Sequence, residues 1–162
     1  MTAPTIIALD PGLTTGVAIQ RAPGLLPDAC QILGRFEVYA FVTQILQEEA
    51  AVSRPNPIIV IERFTINGNT ASKSQQLDPL YVIGVVEYLA LRNNCPFHLQ
   101  SPSQAKSFAT DAKLKAAGWW VPGQDHARDA LRHLMVFLCT HRQVWPELGG
   151  DALLTRIVKG LS

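Results

Sequence analysis

The stretch Ile6-Ile7-Ala8-Leu9-Asp10-Pro11-Gly12-Leu13-Thr14-Thr15-Gly16-Val17-Ala18-Ile19 limits what this chain can fold into more than any other. Two apolar runs of strand length are joined by Pro-Gly and a pair of threonines, which is the pattern of a hairpin with buried strands. The first run ends on a carboxylate, so a sheet begins here with an acid at the mouth of its first turn. An aspartate in that place is ordinarily a turn former or a helix cap. It acquires chemical meaning only if other acids converge on it.

Further along, Gln31 to Tyr39 has the length and the β-branched and aromatic content of a third strand, after the Pro/Gly-rich loop Ala22 to Pro27. Phe41, Val42, Ile45 and Leu46 then recur at helical spacing, so Tyr39 to Val52 reads as an amphipathic helix with Gln44, Gln47, Glu48 and Glu49 facing away. Arg54-Pro55-Asn56-Pro57 ends it. Ile58-Ile59-Val60-Ile61-Glu62 is a continuous apolar run of the kind found in central strands covered on both faces, and it too closes on a carboxylate. Arg63 to Ser74 reads as an exposed loop. Leu80 to Leu91 reads as a helix apolar almost all round, with Glu87 its only charge; one face can cover the sheet and the other needs a partner.

Pro96 to Gln100 reads as a fifth strand, and Ser101-Pro102-Ser103 as the serine-capped start of a short helix through Lys106. A loop or short helix over Ala109 to Ala117 and a break at Gly118 to Gly123 lead to a long helix, Gln124 to His141. There Ala127, Ala130, Leu131, Leu134 and Leu138 share one face, and Asp125, Asp129 and Arg132 another, with His126 and His133 at its border. The order β-β-β-α-β-α-β-α predicts an α/β fold: a mixed five-stranded sheet, three antiparallel strands followed by βαβ-type additions, with helices on both faces.

With 162 residues, 48% hydrophobic and 17% charged, the chain has the size of one domain, 1–162. Its formal charge of +1 advertises no polyanionic partner overall, but charge is uneven. Ala22 to Glu62 holds two basic residues against five acids, whereas Ser101 to Arg142 holds six against three, so any phosphate contacts belong to the second half. Cys30, Cys95 and Cys139 are widely spaced and lack a C-x-x-C, which points to reduced, buried thiols; His133, Cys139 and His141 read as helical core positions rather than as metal ligands. No signal peptide or membrane span is expected, and a soluble cytoplasmic protein is.

Two acids thus end apolar strands, Asp10 and Glu62, while the first turns of the long helix supply Asp125, His126 and Asp129, spaced three and four apart so that pairs project to one side. Acids at a helix N-terminus also favour the macrodipole, an explanation stronger for Asp125 than for Asp129. Three convergent carboxylates repel one another, and the sequence suggests no internal counter-charge for them. Hard oxygen donors with few nitrogens suit Mg²⁺ or Mn²⁺ rather than zinc, and two such ions support in-line attack of water on a phosphodiester.

Asp10-Pro11-Gly12, Ile59-Val60-Ile61-Glu62, Pro102 with Lys106, and His126-Ala127-Arg128-Asp129-Ala130 occur in order over roughly residues 5 to 140, and in this the chain resembles the RuvC family of Holliday-junction resolvases within the ribonuclease H-like superfamily. The resemblance implies an RNase H-like fold, a homodimer, two divalent ions, and paired nicking of four-way DNA junctions in a bacterial or phage-infected cell. It matches Asp10, Glu62 and Asp129 to the family's metal-binding acids and His126 to a fourth position held by Asp or His, with Asp125 as an outer candidate. Lys106, Lys113, Lys115, Arg128 and Arg132 are the candidate phosphate contacts. Phe64 is the candidate junction-contacting aromatic, although it follows Glu62 by two residues where the family often uses three. The Gly-rich segment with a second lysine is reduced here to Lys113-Leu114-Lys115. The compact, divergent form fits a phage-encoded member.

Two other readings stay open on these residues. Asp-Pro-Gly-Leu-Thr-Thr-Gly also looks like the phosphate loop of actin-like ATPases, which need two such domains closing on a nucleotide. A DNA-binding module with an RNase H-like core that no longer cuts is the second.

Overall fold

The computed structural model describes residues 3–52, 54–65, 77–142, 146 and 149–161. The opening hairpin forms as read: β1 (Ile6–Asp10) pairs antiparallel with β2 (Thr14–Gln20), and β2 with β3 (Asp28–Leu33). On its other side β1 pairs in parallel with β4 (Ile58–Glu62), which pairs in parallel with β5 (Phe97–Gln100). The result is an open mixed sheet in the order β3-β2-β1-β4-β5.

Because strand side chains alternate between faces, each central strand feeds two cores. Ile7, Leu9, Ile59 and Ile61 pack under helix α1 (Arg35–Ala51) and helix α2 (Asp78–Arg92). Ile6, Ala8, Ala18, Ile58 and Val60 pack on the opposite face, under helix α5 (Asp125–Thr140) together with the short helices α3 (Pro102–Phe108) and α4 (Asp111–Ala116) and the final helix α6 (Gly150–Leu161). Ala127, Ala130, Leu131, Leu134 and Leu138 of α5 are all buried, as their spacing predicts.

Several boundaries differ from the sequence reading. The third strand is Asp28–Leu33, not Gln31 to Tyr39: Gly34 turns the backbone at φ +89°, a conformation that favours glycine, and α1 starts at Arg35 with Glu37 complementing its N-terminus. Glu49 does not face away. Val38, Val42, Ile45, Leu46 and Glu49 form one helical stripe, so Glu49 is buried, where Arg21 (3.0 Å) and Arg54 (3.5 Å) meet its charge. Ser101 sits at the N-cap of α3 but makes no capping bond; its hydroxyl pairs with that of Ser103 instead. Helix α6 has no counterpart in the sequence reading, and it buries Leu153 and Ile157. Most of the loop expected over Arg63 to Ser74 lies outside the described residues. Among the described residues no helix is long and apolar enough to cross a membrane.

Candidate active site

The site is built on a row of residues that runs across the end of the sheet. Asp10 is registered with Gly16, Gly16 with Gln31, and Glu62 with Gln100; Asp10 and Glu62 each follow the registered pair Leu9 and Ile61, so they stand side by side at the carboxyl ends of adjacent parallel strands. Parity puts them on the α5 face, since Asp10 continues the series Ile6, Ala8 and Glu62 the series Ile58, Val60. The carboxyl ends of strands in open α/β sheets are the usual place for ligands.

Helix α5 lies directly over this row. The His126 backbone N–H donates to Gln31 Oε1 (3.0 Å), so a side chain from β3 satisfies one of the open N–H groups of the helix. At Gly16 the helix backbone comes so close that a Cβ there would lie 1.8 Å from the His126 carbonyl oxygen, and only glycine allows the approach. The crossing places His126 Nδ1 2.8 Å from Asp10 Oδ2. Two turns on, His133 Nε2 lies 2.8 Å from Glu62 Oε2 and Nδ1 lies 3.0 Å from Gln100 Oε1. Between them Asp129 is held by Arg132 Nε at 3.0 Å and Lys106 Nζ at 3.3 Å, one on each carboxylate oxygen.

The structure therefore gathers four of the candidate residues, Asp10, Glu62, His126 and Asp129, and corrects, for Asp129, the expectation that the acids lack internal counter-charge. Arg132 and Lys106 meet Asp129, and histidine nitrogens meet the other two. Repulsion still registers at Asp10. Burial first, and then the charges of Glu62 and Asp129, raise its pKa from 3.8 to about 6, against the lowering effect of the His126 hydrogen bond. Asp125 is not part of this group; it is exposed and ion-paired with Arg128.

The basic candidates are more engaged than their number suggests. Arg132 is nearly buried, spanning Asp129, Asp111 and the Ala109 carbonyl. Arg128 donates to the Val121 carbonyl (2.8 Å) and lies over Trp120, as Lys115 does from its own helix. Lys113 donates to the Phe108 carbonyl and sits over that ring. Lys106 is the most exposed cation at the acids, and with Arg128, Asp129 and Arg132 it lines an open groove beside them. Phe64 is half-buried just past the end of β4. Sequence reasoning missed His133, Gln100, Gln31 and the role of Gly16. Signals existed for the first two: His133 lies one turn beyond Asp129 on the same stripe, and Gln100 closes β5 as Asp10 and Glu62 close their strands.

Among the described residues, no three His, Cys, Asp or Glu side chains converge closely enough to hold one metal ion as placed. The donor chemistry nevertheless suits a hard cation. Asp10 Oδ1 and Glu62 Oε1 accept no hydrogen bond among the described residues, which leaves one oxygen on each of two adjacent carboxylates for a ligand.

No protein-family model and no curated protein matches this sequence. Solved structures do. T. thermophilus RuvC in complex with Holliday junction substrate superposes with a TM-score of 0.62 at 17% identity, covering 87% of this chain and 96% of that one. The fold is RuvC-like. A second Thermus thermophilus RuvC structure gives a TM-score of 0.56 at 16% identity, over 86% of this chain and 96% of that one. At such identity the likeness to RuvC is one of fold, and the mixed five-stranded sheet with helices on both faces is what the two share.

Proposed function

We propose that this chain is a divalent-metal-dependent endonuclease that cuts branched DNA, most specifically four-way junctions, and acts as a homodimer. The observation that carries the reading is the pair Asp10 and Glu62 on adjacent strand ends under a helix bearing His126 and Asp129, within a RuvC-like fold. The RuvC neighbour bound to a Holliday junction supports the substrate class.

Asp10, Glu62, Asp129 and His126 would hold two Mg²⁺ or Mn²⁺ ions. When bound, such ions supply an activated water and stabilise the leaving oxygen of a phosphodiester. The chain's own residues do the rest. Lys106, Arg128 and Arg132 line the groove beside Asp129 and would bind backbone phosphates, with Lys113 and Lys115 of α4 as further candidate contacts. Phe64, beyond the end of β4, would contact bases opened at the junction. Helix α2 exposes Leu80, Tyr81, Tyr88 and Leu91 on the face away from the sheet, an apolar surface that suits a two-fold partner bringing a second site.

The pairing of both Asp129 carboxylate oxygens, with Lys106 and Arg132, favours a second reading, an RNase H-like module that binds DNA without cutting it. One assay separates the two. A labelled four-way junction is incubated with the protein in Mg²⁺ or in chelator, alongside Asp10→Asn, Glu62→Gln and Asp129→Asn. Metal-dependent nicking that each substitution abolishes, with binding retained, supports the nuclease. Binding with no nicking in any metal supports the module, and nicking by Asp10→Asn at the wild-type rate removes the site assignment.

A further inference from the structure

The three acids of the site are held in different ways. The partner of Asp10, His126, is about half exposed, and so is Lys106, one of the two partners of Asp129. Glu62 is anchored from below. Its partner His133 is 1% exposed, and both ring nitrogens are engaged, Nε2 with Glu62 and Nδ1 with the side-chain amide of Gln100, itself buried. Gln100 is in turn the register neighbour of Glu62 on β5, so the chain Glu62–His133–Gln100 closes on itself through the sheet.

A glutamate at a strand end has three side-chain torsions to fix. An imidazole restrained at both nitrogens in a packed interior cannot turn, and a carboxylate bonded to it keeps one oxygen inward and presents the other outward. We infer that His133 is a positioning residue that holds the Glu62 carboxylate in place for a divalent cation, with Gln100 fixing the ring. The inference rests on the nuclease reading for its purpose but not for its geometry. Partners of this kind typically change metal affinity or activity about 10–100-fold when removed.

The test compares His133→Leu, which keeps an apolar volume without a donor, with His133→Gln, which keeps an N–H donor, and with Gln100→Leu, which leaves His133 in place and frees its ring. Three readouts are used: Mn²⁺ binding by calorimetry in the absence of DNA, junction nicking across Mn²⁺ concentrations, and the ring N–H signal of His133 in ¹⁵N-labelled, metal-free protein. The expected result is about 10–100-fold weaker Mn²⁺ binding in His133→Leu, a smaller loss in Gln100→Leu, and substantial rescue in His133→Gln. Nicking should return toward the wild-type rate at high Mn²⁺, and the ring signal should move in Glu62→Gln. If His133→Leu does not fold, the comparison of His133→Gln and Gln100→Leu with wild type decides. Mn²⁺ binding and nicking unchanged in a folded His133→Leu, with only thermal stability lowered, would overturn the inference and leave a structural histidine. A wild-type protein that neither binds Mn²⁺ nor nicks overturns the nuclease reading instead; the geometric claim then stands or falls on whether the ring signal responds to Glu62→Gln.

Discussion

Replacing Asp10 by asparagine keeps the shape of the side chain and an oxygen for His126, but removes a charge that the folded protein holds at a cost. In the unfolded chain the carboxyl titrates near 3.8, and in the fold near 6, because burial and the neighbouring Glu62 and Asp129 disfavour its ionised form. That difference corresponds to about 3 kcal/mol. Below pH 3.8 both states keep the proton and the charge contributes nothing. As pH rises from 3.8 through about 6 the unfolded chain ionises more readily than the native one, so wild-type stability falls, and the full cost applies above that range. Asp10→Asn should therefore match wild type near pH 4 and exceed it near pH 7.5 by up to about 3 kcal/mol, roughly 6–12 °C in Tm for a chain of this size. Urea denaturation followed by circular dichroism in chelator, at both pH values, measures this directly. Added Mg²⁺ should narrow the gap by stabilising wild type alone. Equal stability of the two proteins at pH 7.5, or a gain of the same size at pH 4, would refute the electrostatic account.

Gly16→Ala should cost about 3 kcal/mol or more, or prevent folding, because its Cβ would lie 1.8 Å from the His126 carbonyl oxygen and 2.2 Å from the attached carbon; a urea midpoint at the wild-type value would show that α5 does not press on β2. Lys106→Ala should weaken junction binding and reduce the slope of log affinity against log salt by about one, and an unchanged slope would remove Lys106 from the phosphate groove. Tyr88→Lys or Leu91→Glu, at exposed positions of α2, should turn a dimer into monomers in sedimentation without loss of fold, whereas a wild type that sediments as a monomer at micromolar concentration would refute the dimer.

The parts of this structure that follow simple periodicities could be read in advance. Period two in β1 and β4 carries Asp10 and Glu62 to one face, and period 3.6 in α5 separates its alanines and leucines from Asp129. Where two periodicities fit the same residues, the reading failed. Phe36, Val38 and Tyr39 have strand-like composition, yet Val38 begins the buried stripe of α1, and Gly34 with its positive φ decides the matter. Glu49 reads as exposed because it is charged; its place on the stripe, not its chemistry, determines its burial, and Arg21, just past the end of β2, with Arg54 makes that tolerable. Of the counter-charges of the site, Lys106 was illegible, because that it closes on Asp129 depends on how α3 packs beside α5, which no local pattern encodes. Arg132 stands three residues beyond Asp129 on the same helix face, so its ion pair follows from the helical spacing alone. The sequence reading that one face of Leu80 to Leu91 covers the sheet and the other lacks a partner resolves by residue: Val82 is buried and Val85 and Leu89 are half-buried, while Leu80, Tyr81, Tyr88 and Leu91 point outward.

The crossing of α5 over the strand ends also sets when, during synthesis, the site can exist. The contact between His126 and Asp10 joins residues 116 positions apart, and that between His133 and Glu62 joins residues 71 apart. A chain emerging from the ribosome can pair β1, β2 and β3 and cover one face with α1 and α2 long before α5 has been made. Through that interval Asp10 and Glu62 end open strands with no helix above them, and the residues that complete the cluster are still unjoined. At about 5–20 residues per second the delay between the end of β4 and the end of α5 is several seconds. The cluster itself is thus among the last features of the fold to be completed, since nearly the whole chain must be present to hold it.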